Sequence, residues 1–130
     1  MATRLPRRAL VLFAHGARDP QWATPFHRLR QIIQTQLPDT VVELAFLELM
    51  TPKLPELTAQ LQQCGCDEIT VVPVFLGQGG HVSRDLPLIV AQLQQDYPAM
   101  AFRVAAAAGE DADVLAAIAQ YCIGSLVKKN

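Results

Sequence analysis

Hydrophobic and polar positions along the chain follow two alternating patterns, which together predict strands separated by helices. Short, nearly continuous apolar runs rich in valine, isoleucine, leucine and phenylalanine predict buried strands. Between these runs, apolar residues recur every three or four positions, which is the spacing of an amphipathic helix. The strands are predicted at about Leu10–Ala14, Val41–Leu47, Ile69–Leu76 and Ala101–Ala105.

A helix is predicted after each strand. The first spans roughly Trp22–Gln36, and the second starts near Thr51, an N-cap residue followed by proline, and ends at Gly65. The third ends before Pro98, and the fourth starts at about Glu110, where acidic residues suit a helix N-terminus. The apolar side of this fourth helix is formed by Val114, Leu115, Ile118 and Cys122.

This alternation of strands and helices predicts an α/β fold with a parallel sheet and helices on both of its faces. We expect a single three-layer domain over residues 1–130, with the four strands in the order 2-1-3-4. The run Ile69–Leu76 is the most apolar and β-branched, so it is predicted to be central. The strand order is taken from the fold class, because nothing in the sequence itself fixes it.

Three residues with metal-ligating side chains each follow a predicted strand. His15 follows the first strand directly, Glu48 follows the second, and His81 follows the third across the glycine-rich segment Gly77–Gly80. Open parallel sheets bind ligands outside the carboxyl ends of their strands, and in the order 2-1-3-4 these strands are neighbours. Two imidazoles and one carboxylate suit a divalent transition metal and leave coordination positions for a substrate.

Each of these residues also has a purely structural interpretation. His15 would satisfy polar groups in a turn, Glu48 would mark a strand end that has reached solvent, and His81 would lie on a flexible connector. His27 falls in the first helix beside two arginines and is interpreted as a solvated residue. The glycine-rich segment lacks the lysine and hydroxyl residue of a phosphate-binding loop.

A phosphatase is a rival interpretation of the first strand and its histidine. An apolar strand followed by His-Gly is similar to the start of the histidine phosphatases, whose imidazole accepts a phosphoryl group. Those proteins have an arginine directly before the histidine, whereas Ala14 precedes His15 in this chain. Losing that bidentate phosphate contact argues against the interpretation.

Composition and charge exclude several classes of protein. The chain is 51% hydrophobic and 18% charged, which is typical of a compact domain and not of disorder. A formal net charge of -1 gives no reason to expect nucleic acid, and no apolar run approaches the roughly 20 residues of a membrane span. Three sparse cysteines favour a reducing cytoplasm over a disulfide framework.

From about Ala9 to Gly124 the chain resembles the class II tetrapyrrole chelatases, and specifically their small single-domain members, the CbiX-type sirohydrochlorin chelatases. No single motif is specific, but the order and spacing of the motifs are. They are His15-Gly16 with Arg18 and Pro20, Phe46-Leu47-Glu48 before Pro52, Val72-Pro73, Gly80-His81, and Asp85-Leu86-Pro87.

The resemblance implies that the protein inserts a divalent metal into sirohydrochlorin on the cobalamin or siroheme route. Cobalt is the expected metal, with iron and nickel as alternatives, and no organic cofactor is implied. His15, His81 and Glu48 would surround the metal, and one of these three residues would accept the protons of the macrocycle. The family often has serine after His-Gly, where this chain has Ala17, and no role is assigned to that residue.

The resemblance also bears on substrate binding and assembly. The tetrapyrrole is rich in carboxylates, which Arg18, Arg84 and the amides of Gly79 and Gly80 would hold. Longer relatives contain two such domains facing one another, so a homodimer with facing clefts is expected here. A non-catalytic carrier of metal or tetrapyrrole would use the same residues, and it remains the alternative function.

Overall fold

The computed structural model describes residues 6–77 and 79–127, apart from the side chain of His81. Four strands alternate with four helices, as the hydrophobic pattern predicts. They are β1 (Arg8–Ala14), α1 (Thr24–Gln36), β2 (Val41–Phe46), α2 (Leu54–Gln63), β3 (Glu68–Pro73), α3 (Gly80–Asp96), β4 (Ala101–Val104) and α4 (Ala112–Ser125), with short 3-10 turns at Pro20–Ala23 and Ala108–Glu110.

The strands form one parallel sheet in the order β2-β1-β3-β4, so the predicted α/β class and strand order are confirmed. In the register of the sheet, Leu12 of β1 pairs with Leu44 of β2 on one side and with Val72 of β3 on the other. The central position predicted for the third strand is also confirmed. Because the strands are parallel, β1, β2 and β3 all end at the same edge, where the candidate ligands follow.

One face of the sheet carries the main hydrophobic core. Val11, Phe13 and Val71 point to this face and are fully buried. The helices α2 and α3 cover it with Leu54, Leu57, Leu61, Val82, Leu86 and Leu93. Burying each large aliphatic side chain contributes about 1.5–3 kcal/mol, so this layer holds the strands in place beneath the site.

The opposite face is covered over β1 and β2 by α1. Leu12 and Phe46 are buried there against Trp22 and Phe26. Gln34 ties the end of α1 to the start of β2, because its amide nitrogen donates to the Thr40 carbonyl at 2.7 Å and its amide oxygen accepts from the Val42 N–H at 3.1 Å.

Over β3 and β4 this second face lies open. Its side chains line a cavity of about 400 Å³ that faces solvent, which we call the open sheet face. The open sheet face is formed by Arg8, Glu68, Thr70, Ala101 and Arg103.

The helix α4 follows β4 but does not cover this face. None of its 14 residues, all of which the structure describes, is buried. Tyr121 and Ile123 on α4 are 75% and 57% exposed, and Leu115 is 48% exposed. Within the described part of the chain, no helix is long and apolar enough to cross a membrane.

Three differences from the sequence prediction concern the segments that lead into the candidate site. β3 ends at Pro73 instead of Leu76, because the Phe75 carbonyl accepts from the Gly109 N–H and not from a strand partner. The N-cap of α2 is Lys53, whose N–H donates to the Glu56 carboxylate at 3.1 Å, so the prediction of Thr51 as N-cap is wrong. α3 begins at Gly80, so His81 lies in the first turn of a helix and not in a loop.

Candidate functional site

His15 lies directly beyond β1 at the carboxyl edge of the sheet, where it is half-buried. Its imidazole packs against the ring of Phe75, with ring centroids 4.6 Å apart and planes tilted by 42°. Phe75 follows β3, the strand beside β1. The imidazole is therefore held at the junction between the ends of these two strands.

Glu48 lies beside His15 because the pairing of β1 and β2 continues past both strands. The Leu47 N–H donates to the Ala14 carbonyl at 2.9 Å, and the Glu48 N–H donates to the His15 carbonyl at 3.1 Å. The side chain of Glu48 is exposed, so its carboxylate carries none of the cost of burying a charge. The structural interpretation of Glu48 was a strand end that has reached solvent, and the structure shows such an exposed strand end. This strand end lies next to His15.

Gly16 allows the two loops to approach each other. Its φ is +95°, a conformation that L side chains rarely adopt, and a Cβ built on it would lie 1.8 Å from the Glu48 carbonyl oxygen. No other residue fits between the loop after β1 and the loop after β2. The glycine after His15 thus fixes the distance between the two candidate ligands along the backbone.

Leu49 was not singled out as unusual from sequence, yet its backbone is strained. It is a non-glycine residue with φ of +67°, and its side chain is 57% exposed beside Glu48. A left-handed conformation costs a leucine about 1–2 kcal/mol, and such strain clusters at functional sites. No local sequence signal marks a leucine for this conformation.

Leu49, Met50 and Val82 are apolar residues next to the candidate ligands in the sequence. The structure separates them. Val82 is buried in the main core at 1% exposure, and Met50 packs half-buried with the residues under α1. Of the three, Leu49 alone presents most of its apolar surface to solvent.

The segment after β3 leads into the first turn of α3. Gly79 is the N-cap of this helix, and the Ser83 N–H donates to its carbonyl at 3.1 Å. The N–H groups of the first turn have no partner within a helix, and they carry the positive end of its dipole. Gly79 and Gly80 are exposed, so this helix start is accessible to an anion.

The two candidate arginines lie on different elements. Arg18 follows β1 and lines an open cavity of about 350 Å³ together with His27, Leu49 and Met50. Arg84 is exposed on α3, where its Nε donates to the Gly80 carbonyl at 3.4 Å. His27 is exposed as expected, but sequence reasoning missed its place on the same cavity as Arg18.

The cysteines are not part of this site. Cys64 and Cys66 precede β3 and so lie toward the amino edge of the sheet, away from His15. Cys66 is buried, and this burial raises the pKa of its thiol above the ordinary value. A thiol that stays protonated at neutral pH is a poor metal ligand.

The predicted ligand set depends on His81. Among the described side chains, which do not include that of His81, no group of three His, Cys, Asp or Glu residues is arranged to hold a metal ion. The backbone of His81 lies at the edge of the sheet where His15 and Glu48 lie, one residue into α3. The shared cleft of the two imidazoles, which involves a side chain outside the described residues, therefore stays a prediction.

Comparison with known proteins shows which family the chain matches. The family model described as CbiX matches residues 9–123. A sirohydrochlorin cobaltochelatase of Methanopyrus kandleri is 35% identical over 79 residues, which are 61% of this chain and 55% of that protein. The chain thus spans little more than half the length of this curated relative.

Solved structures agree with the fold. A crystal structure of a CbiX protein from Marinobacter aquaeolei VT8 has a TM-score of 0.83 at 25% identity, covering 94% of this chain and 99% of that one. The sirohydrochlorin chelatase SirB of Bacillus subtilis subspecies spizizenii, in complex with cobalt, has a TM-score of 0.69 at 25% identity, covering 81% of this chain and 45% of that one. Because the family model matches residues 9–123, which are nearly the whole chain, the protein belongs to the CbiX family.

Proposed function

We propose that the protein is a chelatase that inserts a divalent metal, with cobalt preferred over iron and nickel, into sirohydrochlorin. The observation that carries the proposal is the backbone hydrogen bond from the Glu48 N–H to the His15 carbonyl, which joins two candidate ligand residues at the carboxyl edge of a CbiX-family sheet. The substrate and metal follow the name of the M. kandleri relative and the cobalt bound to SirB.

Chelation requires two things of the protein. The metal substrate must lose water as it moves to the ring, and the macrocycle must lose two pyrrole protons. His15 and His81 serve as the ligands, since a neutral imidazole near pH 7 binds borderline divalent metals and releases them again. Glu48 is exposed, so it accepts the ring protons and passes them to solvent.

Carboxylates of the macrocycle are bound around this centre. The accessible start of α3 offers the amides of Gly80 and its neighbours together with the helix dipole. Arg18 on the cavity beside Leu49 and Arg84 on α3 supply charge-assisted hydrogen bonds from two sides. The exposed apolar surface of Leu49 suits the flat face of a tetrapyrrole between these charges.

A homodimer is part of the proposal. The candidate site lies on an open sheet edge, which provides one wall for a macrocycle that needs two. A second copy, related by a two-fold axis, supplies the other wall with the same surface.

Turnover distinguishes this proposal from the carrier alternative. Purified protein is mixed with excess sirohydrochlorin and Co²⁺, Fe²⁺ or Ni²⁺, and the absorbance of the metallated product is followed against a protein-free control. An enzyme produces many equivalents of product per chain, whereas a carrier stops at one. A preference for cobalt assigns the product to the cobalamin route, and a preference for iron assigns it to the siroheme route.

A further inference from the structure

Gly109 lies in the 3-10 turn between β4 and α4, where it packs directly on the segment after β3. A Cβ built on it would lie 1.8 Å from the Leu76 carbonyl oxygen and 2.3 Å from the Leu76 Cα. Its N–H donates to the Phe75 carbonyl at 3.0 Å. Both contacts are with backbone, which cannot swing aside as a flexible side chain can, so the close approach requires glycine.

Phe75 needs this contact because it lies beyond the end of β3 at Pro73. On the side of β1, the Val74 N–H donates to the Phe13 carbonyl at 2.8 Å. On the side of β4, the Phe75 carbonyl accepts the hydrogen bond from Gly109. The segment after β3 is therefore fastened to both neighbouring strand ends, and the half-buried Phe75 side chain is held against the main core.

The ring of Phe75 in turn sets the position of the His15 imidazole. The two ring centroids are 4.6 Å apart, within the range of a favourable aromatic contact. Histidines that ligate metals are ordinarily oriented by a hydrogen bond from their second ring nitrogen. Among the residues that the structure describes, no side chain or carbonyl accepts such a bond from His15. Packing against Phe75 is thus the contact that orients this imidazole.

We propose that Gly109 is a positioning residue for His15 and acts through Phe75. The contacts from Gly109 to Phe75 to His15 run from the end of β4 to the end of β1, so a turn that carries no candidate ligand supports the site. A Cβ at position 109 forces the Leu76 backbone away by roughly 1.5 Å before ordinary van der Waals distance is reached. Misplacement of a reacting group by about 1 Å costs on the order of 100-fold in rate. The kinetic consequence rests on the proposed function, whereas the position of His15 does not.

NMR resonances of the His15 imidazole report its position, because the ring current of Phe75 shifts them. Spectra are recorded at alkaline pH, where imidazoles are neutral, and the His15 signals are identified by their absence in His15→Ala. Gly109→Ala should move them toward the signals of His27, which is exposed on α1, and Phe75→Leu should do the same. Gly124→Ala on α4 is the control and should leave them unchanged, because nothing lies within 4 Å of its added Cβ.

Turnover with sirohydrochlorin and varied Co²⁺ gives kcat/KM for the metal in each variant. Gly109→Ala and Phe75→Leu should each lower it by about 10–100-fold, the range for residues that support a metal ligand. Because Gly109 acts through Phe75, the double variant should fall no further than the weaker of the two single variants. A glycine needed only for folding would reduce the fraction of active protein, which lowers kcat and leaves KM for Co²⁺ unchanged.

His15 resonances that do not move in Gly109→Ala overturn the proposal, as does a double variant whose loss is the product of the two single losses. If Gly109→Ala does not fold, Ala107→Gly loosens the same turn by removing a buried methyl group. It should move the His15 resonances in the same direction by less, and no movement would again overturn the proposal. A wild type without turnover refutes the proposed function alone, because the resonances test the position of His15 without any reaction.

Discussion

Replacing His15 by alanine removes an imidazole that is half-buried at the sheet edge against Phe75, so no core cavity results. Stability should change by no more than about 1 kcal/mol, as for other substitutions outside the core. Loss of residues that merely support a metal ligand costs about 10–100-fold, so removing a proposed ligand itself should lower turnover by at least about 100-fold. His81→Ala is expected to behave alike.

Steady-state turnover with sirohydrochlorin and Co²⁺ measures this effect, with urea unfolding as the check on stability. Gln31→Ala on the exposed surface of α1 is the control and should keep wild-type turnover. Near wild-type activity in either histidine variant would show that the residue is neither ligand nor base.

Glu48→Gln should be milder than either histidine variant. The amide keeps the shape and one acceptor oxygen but loses the charge, and the exposed position allows water to replace it as the proton acceptor. General acid–base groups contribute roughly 100-fold or more when they are essential, so we expect a fall of about tenfold. The same turnover assay, run over a range of pH, measures the fall in turnover of Glu48→Gln. A loss as large as that of His15→Ala would contradict the idea that water replaces the carboxylate as proton acceptor.

Leu49 offers a test of backbone strain at the site. Leu49→Gly relieves a left-handed conformation that costs leucine about 1–2 kcal/mol, and little packing is lost because the side chain is 57% exposed. Since glycine also gains freedom in the unfolded chain, the free energy of unfolding should stay level or rise by up to about 1 kcal/mol. Leu49→Ala, which keeps the strain, is the matched comparison in urea unfolding, and it should be the less stable of the two.

At the scale of strands and helices, the sequence predicts most of the fold. Continuous apolar runs mark strands that are buried on both faces, and the period of 3.6 marks a helix buried on one face, so β1, β2 and α1 were predicted within a few residues of their bounds. The end of β3 could not be predicted, because apolar residues continue to Leu76 while the hydrogen bonds turn toward Gly109. The start of α3 at Gly80 was missed because glycines carry no capping side chain to mark it.

The residues of the candidate site could be predicted from the sequence, but the contacts between them could not. His15 and Glu48 follow apolar runs, which is visible in the sequence. Their connection through a backbone hydrogen bond and the tilted packing of Phe75 against His15 arise from contacts between separate loops. The spacing of residues along the sequence does not reveal contacts of this kind.

Because the loops after β1 and β2 are in close contact, replacement by alanine should destabilise the protein much more at Gly16 than at Gly77. Gly16→Ala introduces a Cβ 1.8 Å from the Glu48 carbonyl oxygen at a φ of +95°, so the loops must separate. Strain and overpacking of this kind cost about 1–3 kcal/mol each, and chelation should fall with the loss of geometry. Gly77→Ala is the control, because nothing lies within 4 Å of its added Cβ. Equal unfolding free energies for the two variants would contradict the close contact.

At the scale of the whole molecule, the proposed dimer, in which another chain contributes the second wall of the site, predicts that activity depends on protein concentration. Specific turnover per chain should fall when the protein is diluted below the dissociation constant of the dimer, because a single sheet edge does not enclose the macrocycle. Initial rates over a dilution series, compared with light scattering over the same range, measure the relation. A chain that is monomeric at micromolar concentration with full turnover would defeat the facing-cleft dimer.

The glycines around the candidate site differ in the space available to a side chain, and this difference determines which of these positions can accept other residues. Gly16 is enclosed by backbone, whereas Gly77, Gly79 and Gly80 have nothing within 4 Å of an added Cβ. An added Cβ is therefore sterically free at Gly77, Gly79 and Gly80 and forbidden at Gly16. For a chelatase of the proposed kind, a change of metal or tetrapyrrole preference would therefore have its open route through Gly77, Gly79 and Gly80, whereas Gly16 keeps the backbones of His15 and Glu48 in contact.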